Sequence, residues 1–198
     1  MTDPDACWSC RGPVPAAEPF CPTCKAVQPP GQADHFRRLG FARTFDLDRK
    51  LVERRYFELQ RTLHPDRFAA RSPKERALSQ AQATSLNEAY EALMDPLKRA
   101  SYLLKLSGIE TGSDGKTVTD PALLMDAMEM REALAEARKP AEVDAVVAGA
   151  RRDAEAAEAQ LSRDFAAEDL EAAKTTTLRL TYLDKLIDDA RARRLNVA

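Results

Sequence analysis

The chain has 198 residues, 44% of them hydrophobic and 31% charged, with a formal net charge of -2. That length holds one medium domain or two small ones, the composition is globular rather than disordered, and near-neutrality leaves no bulk field to draw the chain to nucleic acid or membrane. The distribution of charge is uneven: residues 35–71 carry ten Lys/Arg against five Asp/Glu, and residues 120–198 carry twelve against seventeen, so the two segments offer opposite fields to partners.

With 7 Gly and 12 Pro in a chain rich in Ala, Leu, Glu and Arg, strand signals are nearly absent and an all-α fold is expected. No apolar run approaches bilayer length, and the opening "MTDPDACW" is acidic and short where a signal or transit peptide would be basic and longer.

All four cysteines lie in the first 24 residues, as Cys7-x2-Cys10 and Cys21-x2-Cys24. Each pair can bite one tetrahedral ion, and four sulfurs close its shell, so the expectation is a structural rather than a catalytic zinc site in a small module over residues 1–30. So short a segment cannot bury a core of its own, and metal binding would supply its folding energy. Two disulfides, four independent thiols, or an iron or iron-sulfur site are the alternatives; disulfides need an oxidising compartment. Trp8 and Phe20 are expected to pack beside the metal. "QPPGQAD" at 28–34 reads as a Pro/Gly linker.

Helix signals follow. Asp34 caps a short helix through Leu39, Asp48 caps one running to Leu63, and Ser72-Pro73-Lys74-Glu75 is a capping box with proline in the first turn. On a helical wheel Val52, Tyr56, Leu59 and Leu63 share one face of the second helix, while Lys50, Arg54 and Arg61 lie opposite. His64-Pro65-Asp66 then stops it, because proline forbids continuation and pushes His64 out of the helical region. Leu86, Ala89, Tyr90 and Leu93 of "LNEAYEAL" supply the complementary face of an antiparallel hairpin. Asp95-Pro96 opens another helix, "LKRASYLLKL", and residues 107–120 read as a connecting loop.

By itself the proline is a helix stop and the basic face is solvated. The order of short helix, basic helix, HPD and capped helix over residues 34–107 resembles the J-domain of DnaJ-type co-chaperones. The resemblance implies that His64, Pro65 and Asp66 act on the ATPase domain of a DnaK-class heat-shock chaperone, with Lys50, Arg54 and Arg61 positioning the loop. A basic helix steers toward an acidic surface, and a carboxylate on a stiff turn can compete for a partner arginine. No serine, cysteine or second carboxylate stands near His64 and Asp66 to form a dyad or triad, so the chain is read as a non-enzyme.

After a linker at 108–119, three helices are predicted at 121–138, 141–163 and 167–193, broken at "RKPAE" and "RDFAAE", as a bundle over 120–198. Leu123, Ala127, Met130 and Leu134 make a sufficient core face, and Leu124, Met125 and Met128, bordered by Arg131 and Glu132, form a second strip. In the last helix Ala173, Thr177, Leu180 and Ile187 form one stripe, and Leu178, Tyr182 and Leu186 another. The second stripes are either buried against the J-domain or a client groove.

"LLMDAMEMREAL" and "LRLTYLDKLIDDA" behind a J-domain are similar to the HscB, or Jac-type, co-chaperones of iron-sulfur cluster biogenesis, over residues 34–198. The resemblance implies an L-shaped molecule that binds an IscU-type scaffold protein through its three-helix bundle and delivers it to an HscA-class chaperone. The matching scaffold contacts are Leu124, Met128, Glu129, Glu132 and Tyr182. Met128 stands where leucine is usual and Tyr182 where phenylalanine is usual, both keeping apolar area. Animal and plant forms often carry a four-cysteine N-terminus, which bacterial ones commonly lack. The expected location is the bacterial cytoplasm, with a processed mitochondrial form as the alternative. Two rivals are a nucleic-acid-binding zinc adaptor, whose cysteine module would offer only Arg11 and Lys25 as cations, and a general J-protein, whose Gly/Phe-rich linker and CxxCxGxG repeats are missing.

Overall fold

The computed structural model describes residues 5–111 and 121–197. Several helix starts carry a local chemical reason. Helix α1 (His35–Leu39) begins where the Asp34 carboxylate accepts the Arg37 N–H at 2.8 Å, and it ends at Gly40, whose φ of 80° lies in the left-handed region that glycine enters without steric cost. Helix α2 (Arg49–Leu63) is capped by the Asp48 carboxylate, which accepts from Lys50 N at 2.9 Å. Helix α3 (Pro73–Met94) starts with the complete reciprocal capping box of Ser72 and Glu75. Helix α4 spans Pro96–Leu106.

The chain divides into two compact units, residues 1–98 and 99–198. In the first, α2 and α3 pack together, and α1 lies against α3. Cross-hairpin contacts fix the antiparallel register: the Ser79 hydroxyl donates to the Leu63 carbonyl, while the Tyr56 hydroxyl donates to Asn87 Oδ1 and its ring stacks on Tyr90 with centroids 4.1 Å apart. Phe36, Leu39, Phe45, Val52, Leu63, Phe68, Leu86, Ala89 and Leu93 are buried, each large side chain contributing roughly 1.5–3 kcal/mol. Of the apolar positions read from the wheel, Val52, Tyr56 and Leu63 are buried, while Leu59 and Tyr90 are half-buried at the edge of the interface.

The cysteine segment is a small module of its own and holds the two short strands among the described residues. Strands β1 (Asp5–Ala6) and β2 (Pro13–Val14) pair antiparallel around the first cysteine turn. That pairing and the isolated bridge of Phe20 with Val27 around the second turn close the turns that bring the thiols together, a demand that composition does not register. The residues read as a linker are also tied down: the Gln28 carbonyl accepts from Gln82 Nε2 at 2.9 Å, and the Arg38 guanidinium donates to the carbonyls of Pro30 and Ala33 at 2.9 and 3.2 Å.

The second unit is built by α5 (Pro121–Glu136), α6 (Pro140–Ala166) and α7 (Leu170–Asn196), all three in mutual contact. The α6 face is small and regular, with Val143, Ala150, Ala154, Ala157 and Leu161 buried; α7 answers with Ala173, Thr177, Leu180, Leu183, Leu186, Ile187 and Ala190. One helix boundary shifts by a few residues. Helix α6 continues through Phe165, because the turn is made by Glu168 in the left-handed region at φ 56° and α7 restarts only at the Asp169 cap. Of the two options for the stripe of Leu178, Tyr182 and Leu186, burial holds for Leu186, which is 4% exposed, while Leu178 and Tyr182 stay half-buried. Asp164 is buried in this turn, accepting from Gln160 at 2.6 Å and Thr176 at 2.8 Å. At the other end Arg194 grips Asp144 with two hydrogen bonds of 2.6 and 3.0 Å. The connection predicted at 107–120 lies outside the described residues from 112 onward, and so does the side chain of Leu123.

Candidate functional site

Three groups of side chains carry chemistry. The first is the thiol cluster. Both Cys-x2-Cys turns use the same backbone device: Arg11 N–H reaches the Cys7 carbonyl and Lys25 N–H the Cys21 carbonyl, each at 2.9 Å, with Arg11 and Lys25 both at φ 61°. Cys7 N–H then bonds Gly12 O, and Cys21 N–H bonds Ala26 O, each at 2.9 Å. Two equivalent turns thus face each other with all four Sγ atoms within 4.8 Å of one another and all four cysteines free. Cys7 to Cys24 and Cys10 to Cys21 measure 3.7 Å. Metal–sulfur bonds of about 2.3 Å in a tetrahedron require sulfurs about 3.8 Å apart, so the donor set fits a four-coordinate ion.

The four thiols sit in unequal surroundings. Burial would raise Cys7, but hydrogen bonds from the Cys10 and Ser9 backbone and from the neighbouring thiols pull it down to about 6. For Cys21 the backbone N–H of Cys24 lowers the value, against burial. At Cys10 the Gly12 backbone favours the thiolate, yet the Cys24, Cys21 and Cys7 sulfurs and burial together push it up to about 12. One anion next to another is costly, and a dication would remove that conflict. Trp8 and Phe20 are half-buried; the Trp8 indole N–H donates to Val27 O at 2.7 Å, and Lys74 Nζ of α3 sits 4.3 Å from its ring centroid.

The second group is the corner after α2. His64 leaves the helix at φ -56°, ψ 128°, and Pro65–Phe68 form a single 3-10 turn anchored by buried Phe68. Asp66 N–H donates to His64 Nδ1 at 3.3 Å, and that nitrogen lies 3.6 Å from Asp66 Oδ2. The two side chains are 51% and 90% exposed, so a visitor can reach both. Lys50, Arg54 and Arg61 are exposed on the same helix. Wheel reasoning passed over Phe57. It lies about 140° from Val52 at 100° per residue, among those cations, and is 48% exposed. With Gln60, Arg61, His64 and Arg67 it lines an open concavity beside the corner. The legible signal was a large aromatic on the polar face of an amphipathic helix.

The third group is on the second unit. In α5 the buried side is marked by Leu134, with Ala127 and Met130 half-buried, and the opposite side presents Leu124, Met125 and Met128 at 40%, 63% and 61% exposure. Glu129 and Glu132 are exposed on that helix, and Tyr182 is half-buried on α7, which packs against α5. Arg179 of α7 comes within 3.9 Å of Asp126 of α5. Methionine on such a surface offers adaptable apolar contact.

Among the described residues no helix is long and apolar enough to cross a membrane. Residues 34–102 match the DnaJ domain family model, and residues 119–191 match that of the HSCB C-terminal oligomerisation domain. The human iron-sulfur cluster co-chaperone protein HscB is 34% identical over 96% of this chain and 82% of its own length. The crystal structure of human HscB superposes with a TM-score of 0.90 at 34% identity, covering 96% of this chain and 98% of that one. HscB from Vibrio cholerae gives a TM-score of 0.73 at 32% identity, covering 84% of this chain and all of that one. A J-domain with its HPD corner exposed, a bundle matched by the HscB C-terminal model and a near full-length relative together establish that the chain belongs to the HscB family of co-chaperones.

Proposed function

We propose that this co-chaperone binds an IscU-type iron-sulfur cluster scaffold through the α5/α7 face and presents it to an HscA- or DnaK-class chaperone, whose ATP hydrolysis it stimulates through His64, Pro65 and Asp66. The observation that carries the reading is the exposed corner at the end of a basic helix: Asp66 is 90% exposed on a proline-stiffened turn. A carboxylate so placed can compete for a partner arginine with little loop entropy to lose, and Lys50, Arg54 and Arg61 steer the approach to an acidic surface. The chain itself makes and breaks no covalent bond.

Scaffold contact falls to Leu124, Met128, Glu129, Glu132 and Tyr182, an apolar strip bordered by carboxylates. At the thiol cluster Cys7, Cys10, Cys21 and Cys24 would hold zinc, which supplies a structural cross-link with no open coordination position. The bacterial cytoplasm fits a reduced tetracysteine site; a mitochondrial matrix fits equally well chemically.

The test is single-turnover ATP hydrolysis by the cognate chaperone with wild type, His64→Gln and Asp66→Asn. Stimulation by the wild type and its loss in both variants is expected. Equal stimulation by all three would overturn the reading.

A further inference from the structure

We propose that Gln28 is a positioning residue that couples the four-cysteine centre to helix α3, so that metal occupancy at the thiols stiffens α3 and the corner it supports. The inference rests on the reading that the cysteines hold an ion and adds what that ion does for the rest of the unit.

Gln28 is a polar residue only 4% exposed, and its buried groups point in two directions. Its side-chain amide donates to Cys7 Sγ at 3.3 Å and to Ala26 O at 2.8 Å, using both N–H groups. Its backbone carbonyl accepts from Gln82 Nε2 at 2.9 Å, and Gln82 is itself 4% exposed on α3. One residue therefore touches a metal ligand with its side chain and a helix 54 positions away with its main chain. An N–H···S bond strengthens when the sulfur is an anion, so a metal thiolate at Cys7 holds the amide better than a free thiol does.

Beyond the contacts of Trp8 with Val27 and Lys74, the cysteine segment has a small interior of its own. Its buried cluster is Cys7, Val14 and Cys21, two of the three being ligands. Without the ion the turn that presents Gln28 loses its main source of folding energy. Gln82 then loses its acceptor, and a buried amide without a partner is costly. Ser79 lies one turn before Gln82 on the buried side of α3, and its hydroxyl holds the carbonyl of Leu63, the residue before His64. The contacts thus run from Cys7 through Gln28 to Gln82, and the backbone of α3 carries them one turn back to Ser79 and the end of α2.

The experiment uses the reduced full-length protein, chelator-stripped and reloaded with Zn2+ or Co2+, with amide hydrogen exchange over residues 79–86 as readout. In the wild type, removing zinc should raise exchange there severalfold to about tenfold, the worth of one buried hydrogen bond. Gln82→Met should keep the wild-type thiolate-to-cobalt absorption and lose that zinc dependence. Gln28→Glu, an isostere without the N–H and with added negative charge, should weaken zinc about 10- to 100-fold in chelator competition and shift the cobalt band. A normal four-thiolate cobalt spectrum with exchange indifferent to zinc would overturn the coupling and leave the metal site standing. Zinc-dependent exchange that persists in Gln82→Met would also overturn it. Absence of the cobalt band would sink the metal site and the coupling together.

Discussion

Ser79 and Leu63 are joined by a buried hydrogen bond of 2.7 Å, the hydroxyl of α3 donating to the last carbonyl of α2. Helix ends leave carbonyls without intrahelical partners, and here a serine on the opposite arm of the hairpin supplies one. The corner at 64–66 is therefore held from behind while its front stays open. Ser79→Ala should cost about 1–3 kcal/mol, the penalty for orphaning a buried acceptor. Chemical denaturation would read that loss, and chaperone stimulation should fall although no corner residue has changed. A stability equal to wild type would show that the carbonyl finds another partner.

Phe57 separates packing from docking. Because its ring is 48% exposed and meets Tyr56 only edge-on at 5.2 Å, removing it opens no cavity. Phe57→Ala should change stability by no more than about 0.5 kcal/mol, as for surface sites generally, yet weaken chaperone affinity severalfold. Titration of the chaperone's ATPase against each protein gives the comparison. Identical half-saturation points would remove Phe57 from the docking surface.

The two binding faces should be separable. Met128→Ala and Tyr182→Ala are expected to weaken scaffold binding by calorimetry while leaving scaffold-free stimulation of the chaperone intact. His64→Gln should do the reverse. A common loss of both activities in any one variant would mean that the faces are not independent.

Asp34 predicts a pH dependence. Burial would raise its carboxyl, but the Arg37 N–H and the Arg43 guanidinium hold it below its ordinary value of 3.8. A folded-state value below the unfolded one means stability that is fully present above pH 3.8 and is lost as pH falls through the depressed folded value. Asp34→Asn keeps the cap and drops the charge, so its deficit in Tm should be present at pH 7 and close as the pH falls below about 3.8. Asp34→Ala should cost about 0.5–2 kcal/mol at neutral pH. A deficit for Asn that does not vary with pH would place the effect in the cap alone.

What was legible in the sequence follows the range of the interactions. Asp34, Asp48 and the Ser72/Glu75 box act within three residues, and the helix starts they predict are where the structure has them. The paired Cys-x2-Cys turns are likewise local, which is why spacing alone pointed to four thiols that the structure brings within 4.8 Å of one another. The attachment of that module could not be read in this way: it depends on Gln28 meeting Gln82 and Trp8 meeting Lys74, pairs chosen by tertiary folding, and a proline-rich stretch looks the same tethered or free. For the stripe of Leu178, Tyr182 and Leu186 the pattern left burial and a groove both open, because periodicity does not say what covers a face; Leu186 lies in the core while Leu178 and Tyr182 stay half-buried. Phe57 could have been found by asking which apolar residue violates the amphipathic pattern.

The alanines of α6 have a mechanical consequence. Ala150, Ala154 and Ala157 are all buried, and side chains this short bring the backbones of α6 and α7 close with no rotamers to rearrange between them. A 27-residue helix is about 40 Å long, and along such a seam load passes from main chain to main chain. The expected consequence is a pair that behaves as a strut, so that a pull at one end is felt at the other.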